Sequence, residues 1–151
     1  LGRRPGLRLE SEVVSERAWE APLRAGLAAV TSTDHTAIFS AIDATLRTLR
    51  GRHCERSDVR CVVVVRTDGL EEADRAIVER LRGRGAGVAV AARLDNADVE
   101  IVFCGLTERA GTPALFGPPP SLGRVEAAWT TEFSTPANLT FLPSCRDARF
   151  N

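Results

Sequence analysis

The sequence predicts an α/β fold, Rossmann-like and doubly wound, with a mostly parallel sheet and helices on both faces. Three observations predict it. Val62–Val65 is a run of four valines without alternation, the pattern of a strand buried on both faces. Amphipathic stripes at spacings of three and four lie on either side of it. Short links join these segments, so helix and strand alternate along the chain.

Taken in order, Leu7, Leu9, Val13 and Val14 read as a short strand, and Trp19–Leu27 as a loop feeding a helix over 21–30. Thr31–Thr36 is rich in capping residues. Behind it Ile38, Ala41, Ile42, Thr45, Leu46 and Leu49 form one face of a helix over 36–50, with Asp34 or Thr36 as its N-cap. Val59–Arg66 is the valine strand, and Thr67-Asp68-Gly69 its closing turn. Leu70, Ala73, Ile77 and Leu81 predict a helix over 70–83, with Glu71, Glu72 and Asp74 in its first turn. Gly83, Gly85 and Gly87 lead into Val88–Ala92, a second buried strand. Val99, Val102, Phe103 and Leu106 predict a third helix over 97–110. The pattern changes after Gly111. Residues 1–111 are therefore expected to form the α/β domain, and 112–151 a Pro-rich segment and extension. Alternation of Ala127, Trp129, Thr131 and Phe133 predicts an edge strand over 126–133.

Composition narrows the function. At 151 residues, 44% apolar and 26% charged, the chain has the composition of a globular domain. A formal net charge of +0 supplies no general field for nucleic acid. Cys61–Val65 falls far short of the ~20 apolar residues of a membrane helix. All 20 basic residues are arginine, so no Schiff-base lysine and no phosphate-loop lysine exists.

In a doubly wound sheet, ligands collect at the carboxyl ends of the strands. Asp68 closes the valine strand and Thr36 opens the helix before it, so one rim receives a carboxylate and a hydroxyl, oxygens suited to a hard cation such as Mg²⁺. Thr36–Ile42, the strand Val62–Val65 with Thr67-Asp68-Gly69, and Gly87–Ala91 followed by Asn96–Val99 together resemble the von Willebrand factor A family over roughly residues 7–111. The resemblance implies a protein-interaction module inside a larger assembly, in which Thr36 and Asp68 are metal residues and Mg²⁺ bridges to an acidic group of a partner. The family's first motif, Asp-x-Ser-x-Ser, is absent from the sequence. The domain is accordingly expected to be truncated at its N-terminus and to lack its first strand, or to have a rim that holds no metal.

Two other functions stay open: a Rossmann-like hydrolase or transferase using Asp68 as a rim acid, and a structural subunit held in a complex by Trp129, Phe133 and the Pro-rich tail. Cys54, Cys61, Cys104 and Cys145 show no zinc spacing. Cys61 and Cys104 read as apolar fillers, and Cys54 and Cys145 as the pair that an oxidising compartment would join. The compartment itself is open, with the cytoplasm slightly favoured. Asn138-Leu139-Thr140 is a glycosylation sequon, relevant to a secreted protein.

Overall fold

The computed structural model describes residues 8–15, 23–29, 36–50, 52, 54–85, 90–108 and 111–148. Its elements are β1 (Arg8–Ser15), β2 (Leu23–Ala29), α1 (Ile38–Arg50), β3 (Val59–Arg66), α2 (Arg75–Leu81), β4 (Val99–Cys104), α3 (Leu122–Thr130) and β5 (Leu139–Leu142), with short 3₁₀ turns between them. The five strands form one sheet in the order β2-β1-β3-β4-β5. β3, β4 and β5 are parallel, whereas β1 is antiparallel to both β2 and β3. The fold is α/β, and its sheet is mixed rather than mostly parallel.

Side-chain parity explains where the core sits. Cys61, Val63 and Val65 of β3 stand in register with Val99, Ile101 and Phe103 of β4, and Ile101 and Phe103 with Leu139 and Phe141 of β5. This face packs in one cluster with Ile38, Ile42, Leu46 and Leu49 of α1, Ile77, Val78 and Leu81 of α2, and Val125, Ala128 and Trp129 of α3. Phe103 is its centre, stacked on Phe141 at 5.1 Å and tilted against Trp129 at 5.3 Å between ring centroids. The alternate residues of β3 and β4, from Arg60 to Arg66 and from Glu100 to Cys104, face the other way. Three crossovers, β2-α1-β3, β3-α2-β4 and β4-α3-β5, step in one direction across the sheet. Crossovers of one hand that step the same way place their helices on one face. Among the described residues the helices therefore cover one face, not two as expected.

Several expectations fail for identifiable reasons. The helix expected over 21–30 is strand β2; Leu23, Ala25, Leu27 and Ala29 alternate with period two, and short apolar runs do not separate the two periods. The helix expected over 97–110 is strand β4. Burial of both its faces, with Ile101 and Phe103 on one side and Val102 and Cys104 on the other, lets residues three and four apart mimic a helical stripe. The strand expected at Val88–Ala92 is not one where it is described: 90–92 lie outside any strand, and Val90 is 40% exposed. Residues 86–89 lie outside the described residues. The place beside β3 goes instead to β4, the more apolar of the two runs.

The edge strand expected over 126–133 is mostly helix α3. Val125, Ala128 and Trp129 are buried at helical spacing, and the Ser121 side chain caps the helix by accepting from Arg124 N at 3.2 Å. Trp129 and Phe133 are 0% and 2% exposed in the chain's own core, so they cannot hold a neighbouring subunit. α3 contributes Val125, Ala128 and Trp129 to the core, and β5 is the last strand of the sheet. The predicted helix over 36–50 is present as α1. That over 70–83 shortens to Arg75–Leu81, because Leu70–Asp74 forms a loop whose Asp74 side chain caps α2 by accepting from Ile77 N.

Candidate functional site at the carboxyl rim

β3, β4 and β5 are parallel and end together at Arg66, Cys104 and Leu142. Their outgoing loops are cross-bonded. Thr67 N donates to Cys104 O at 3.0 Å, and Thr107 donates to Pro143 O through both its backbone N and its hydroxyl, at 3.1 and 2.9 Å. The start of α1 joins the same rim. Thr36 N donates to a Glu72 carboxylate oxygen at 2.8 Å, and Glu72 N donates to Thr36 O at 2.9 Å. Thr36 is thus tied to the loop that begins with Asp68, at one end of the sheet. Asp34 and His35 lie outside the described residues.

The loop after β3 is built on a glycine and a buried acid. Gly69 has φ +78°, a left-handed conformation that a side chain disfavours, and a Cβ there would lie 2.5 Å from Val125 Cγ1. Its carbonyl accepts from Trp129 Nε1 at 2.9 Å, fastening the turn to α3. Gly69→Ala combines left-handed strain with overpacking and is expected to lower stability by about 2–4 kcal/mol, read as a shift in the urea midpoint. A loss under about 1 kcal/mol would mean that the turn relaxes freely.

Glu71 is fully buried. One oxygen accepts from Phe39 N at 2.7 Å in the first turn of α1, and the other from Ala73 N and Asp74 N at 2.9 and 3.0 Å. Desolvation pushes this carboxyl above the ordinary range, against those three bonds. Asp68 Oδ1 accepts from Leu70 N at 3.0 Å, a turn contact of the kind Asp makes in many loops. Sequence reading placed Glu71 on the first turn of a helix as a dipole partner. Its role as a clamp between α1 and α2 carries no local signal, since the partner that ties it to α1, Phe39 N, is 32 residues away, while Ala73 N and Asp74 N are ordinary turn neighbours.

A second charged cluster braces the rim from below. Glu132, also fully buried, receives Arg80 Nη1 on one oxygen and Arg93 Nε at 2.7 Å on the other. Arg93 also grips Asp74 with two bonds of 2.9 Å and lies 4.2 Å over the Phe39 ring. Its guanidinium is held above the ordinary range, first by Glu132 and then by Asp74. Desolvation pushes Asp74 up, but the Arg93 bond and the backbone donors outweigh it and hold the carboxyl below its usual range. That contribution to stability is present above the ordinary Asp range and is lost as pH falls through the lowered value.

The cysteines pair as Cys54–Cys61 and Cys104–Cys145, which corrects the expected Cys54–Cys145 bridge and the filler roles of Cys61 and Cys104. Cys61 faces the helix layer, where the loop after α1 brings Cys54. Cys104 faces the opposite side, where the turn after β5 brings Cys145. The sequon is also accounted for: Asn138 Nδ2 donates at 3.0 Å to both Asn96 O and Ala97 O, so the nitrogen a glycan would occupy holds the loop before β4.

The chain matches no family model, no curated protein and no solved structure. The site must therefore be judged on its own donors. Among the described residues no three acidic, histidine or cysteine side chains gather as a metal-holding group. Both Glu71 oxygens are committed to backbone N–H groups, and Asp68 and Glu72 each give an oxygen to one. This donor set does not fit a Mg²⁺ site. No helix among the described residues is long and apolar enough to cross a membrane.

Proposed function

We propose that the chain is a protein-interaction module of von Willebrand A type, docking partner subunits through the carboxyl rim of its sheet and doing so without a cation. One observation carries the reading. The loops after β3 and β4, the segment after β5 and the start of α1 are bonded to one another at the same end, forming a preorganised polar surface. A surface ordered before contact loses less entropy on binding. The Thr36 helix, the valine strand and the Thr67-Asp68-Gly69 turn support the family likeness. Against it stand the position of β1, antiparallel beside β3 where a first strand would lie, and the strand at Val99–Cys104 where the likeness expects a helix.

Catalysis is less well supported. Asp68 serves a turn. The rim's hydroxyl–carboxylate contact, Ser144 to Glu108 at 3.1 Å, joins a weak nucleophile to a weak base. The paired cysteines favour an oxidising compartment over the cytoplasm.

The test is site-specific photocrosslinking in the native cell. A photoreactive residue at Thr107 on the rim is expected to give discrete adducts, in EDTA as in Mg²⁺. The same residue at Asp98, at the amino end of β4, is expected to give none. Equal labelling from both positions, or adducts that vanish with EDTA, would overturn the proposal.

A further inference from the structure

On the face of the sheet opposite α1, α2 and α3, beside the rim, an open groove of ≈ 710 Å³ runs between β3, β4 and the segment after β5. Val64 and the Cys104–Cys145 bridge form its floor, Thr107, Glu108 and Ser144 one wall, and Arg66 and Arg146 its cationic groups. Both arginines are exposed, and neither has a carboxylate partner among the described residues. Eight other arginines, Arg47, Arg50, Arg56, Arg60, Arg80, Arg82, Arg84 and Arg93, each face a carboxylate within 4.0 Å. Arg52, Arg75 and Arg124 face none among the described residues, but none of these three lines the groove. Two guanidinium groups lining one groove without a counterion are a site for an oxyanion, because each offers a planar fork of donors.

The charge of the groove selects the anion. Glu108 lines it too, and its carboxylate accepts from the Ser144 hydroxyl, so among the described lining residues two positive charges face one negative. A phosphate dianion would overmatch that surplus and lie near Glu108; a single carboxylate matches it. The groove is open along its length and has an apolar floor, which suits an extended segment whose neighbouring side chains cover Val64 and Ala148.

We infer that the Arg66–Arg146 groove binds an Asp- or Glu-bearing segment of a protein partner, the carboxylate seated between the two guanidinium groups. This inference rests on the proposed docking role of the rim and names the chemistry of the partner. Arg66 is placed by the last position of β3. Arg146 is placed by the turn at Cys145–Asp147, which the disulfide fastens to β4.

The test uses a short fluorescein-labelled peptide of alternating Glu and Leu, its Gln-for-Glu counterpart, and inorganic phosphate as competitor, read by fluorescence anisotropy. The Glu peptide is expected to bind at least about tenfold tighter than the Gln peptide. Arg66→Glu and Arg146→Glu are each expected to remove that difference, with unchanged melting temperatures. Arg66→Gln and Arg146→Gln should weaken binding less than the charge reversals do. Equal binding of the two peptides, no binding, or full binding by both charge-reversed variants would overturn the inference, as would displacement by millimolar phosphate, which would mark a phosphate site. Photocrosslinking from Thr107 in the Arg66→Glu background separates the two proposals. Surviving adducts leave rim docking standing while acidic recognition fails; loss of adducts in wild type as well removes both.

Discussion

Glu132→Ala is expected to lower stability by about 3–5 kcal/mol, a large share of the 5–15 kcal/mol that holds a typical domain together. The carboxylate is fully buried, and it is the acid that Arg80 and Arg93 share. Truncation leaves Arg80, only 14% exposed, without its counterion, and removes the Nε partner of Arg93 while Asp74 keeps the other edge. Most of the loss comes from stranding a desolvated cation rather than from the intrinsic strength of the pair. Glu132→Leu combined with Arg80→Met should therefore recover much of it, because acid and stranded cation leave together. Guanidinium denaturation of the two single variants and the double variant measures the coupling. A Glu132→Ala loss below about 1 kcal/mol would show that water reaches the cluster and solvates both arginines.

The consequence extends to the rim. Arg93 joins Asp74, the cap of α2, to Phe39 in the first turn of α1, while Glu132 lies just beyond α3 and its carbonyl accepts from Arg93 N and Leu94 N. One buried acid thus fixes the mutual positions of three helices, and through Asp74 it supports the loop that carries Asp68 and Glu71. Asp74→Ala should loosen that loop with a smaller loss, since Asp74 is partly solvated.

Sequence pattern revealed the elements whose hydrophobic period had one interpretation. The stripe from Ile38 to Leu49 has a single apolar face, and Val62–Val65 is an unbroken apolar run, so both were legible, although only the Cys61, Val63 and Val65 face of β3 is buried and the Arg60-to-Arg66 face is exposed to half-buried. β4 was not, because burial on two faces erases alternation and leaves a run that either period fits. α3 was misread because Trp129 and Phe133 obey both a period of two and a period of four; Val125 and Ala128 decide between them only once their burial is known. The one-sided helix layer depends on strand order, which no local pattern encodes.

The site divides in the same way. Thr36, Asp68 and Gly69 were visible because turns and helix starts restrict residue type within a few positions. Glu71, Glu132 and Arg93 were not singled out, because charged residues at such spacings usually sit on solvated faces and nothing nearby distinguishes a buried acid. Arg66 and Arg146 are 80 positions apart, and only the sheet and the second disulfide bring them to one groove.

The Cys104→Ala/Cys145→Ala variant is expected to lose about 4 kcal/mol, and Cys54→Ala/Cys61→Ala about 2 kcal/mol, from the entropy each bridge removes from the unfolded chain. The sequence separations of 41 and 7 set that order, since a longer closed loop restricts the denatured ensemble more. Denaturant melts of the two variants test it, and a reversed order would show that local packing outweighs loop entropy. The bridges should also differ in function. Cys54–Cys61 lies under the helix layer, away from the groove, so its removal should leave acidic-peptide binding intact in the folded fraction. Cys104–Cys145 holds the segment bearing Arg146, which the Thr107–Pro143 and Ser144–Glu108 contacts also clamp. Those bonds are worth about 0.5–1.5 kcal/mol each, so without the bridge they hold the segment less firmly than the bonds and the bridge do together. Loss of this bridge alone should therefore lower both stability and peptide affinity, placing the compartment's redox state upstream of binding.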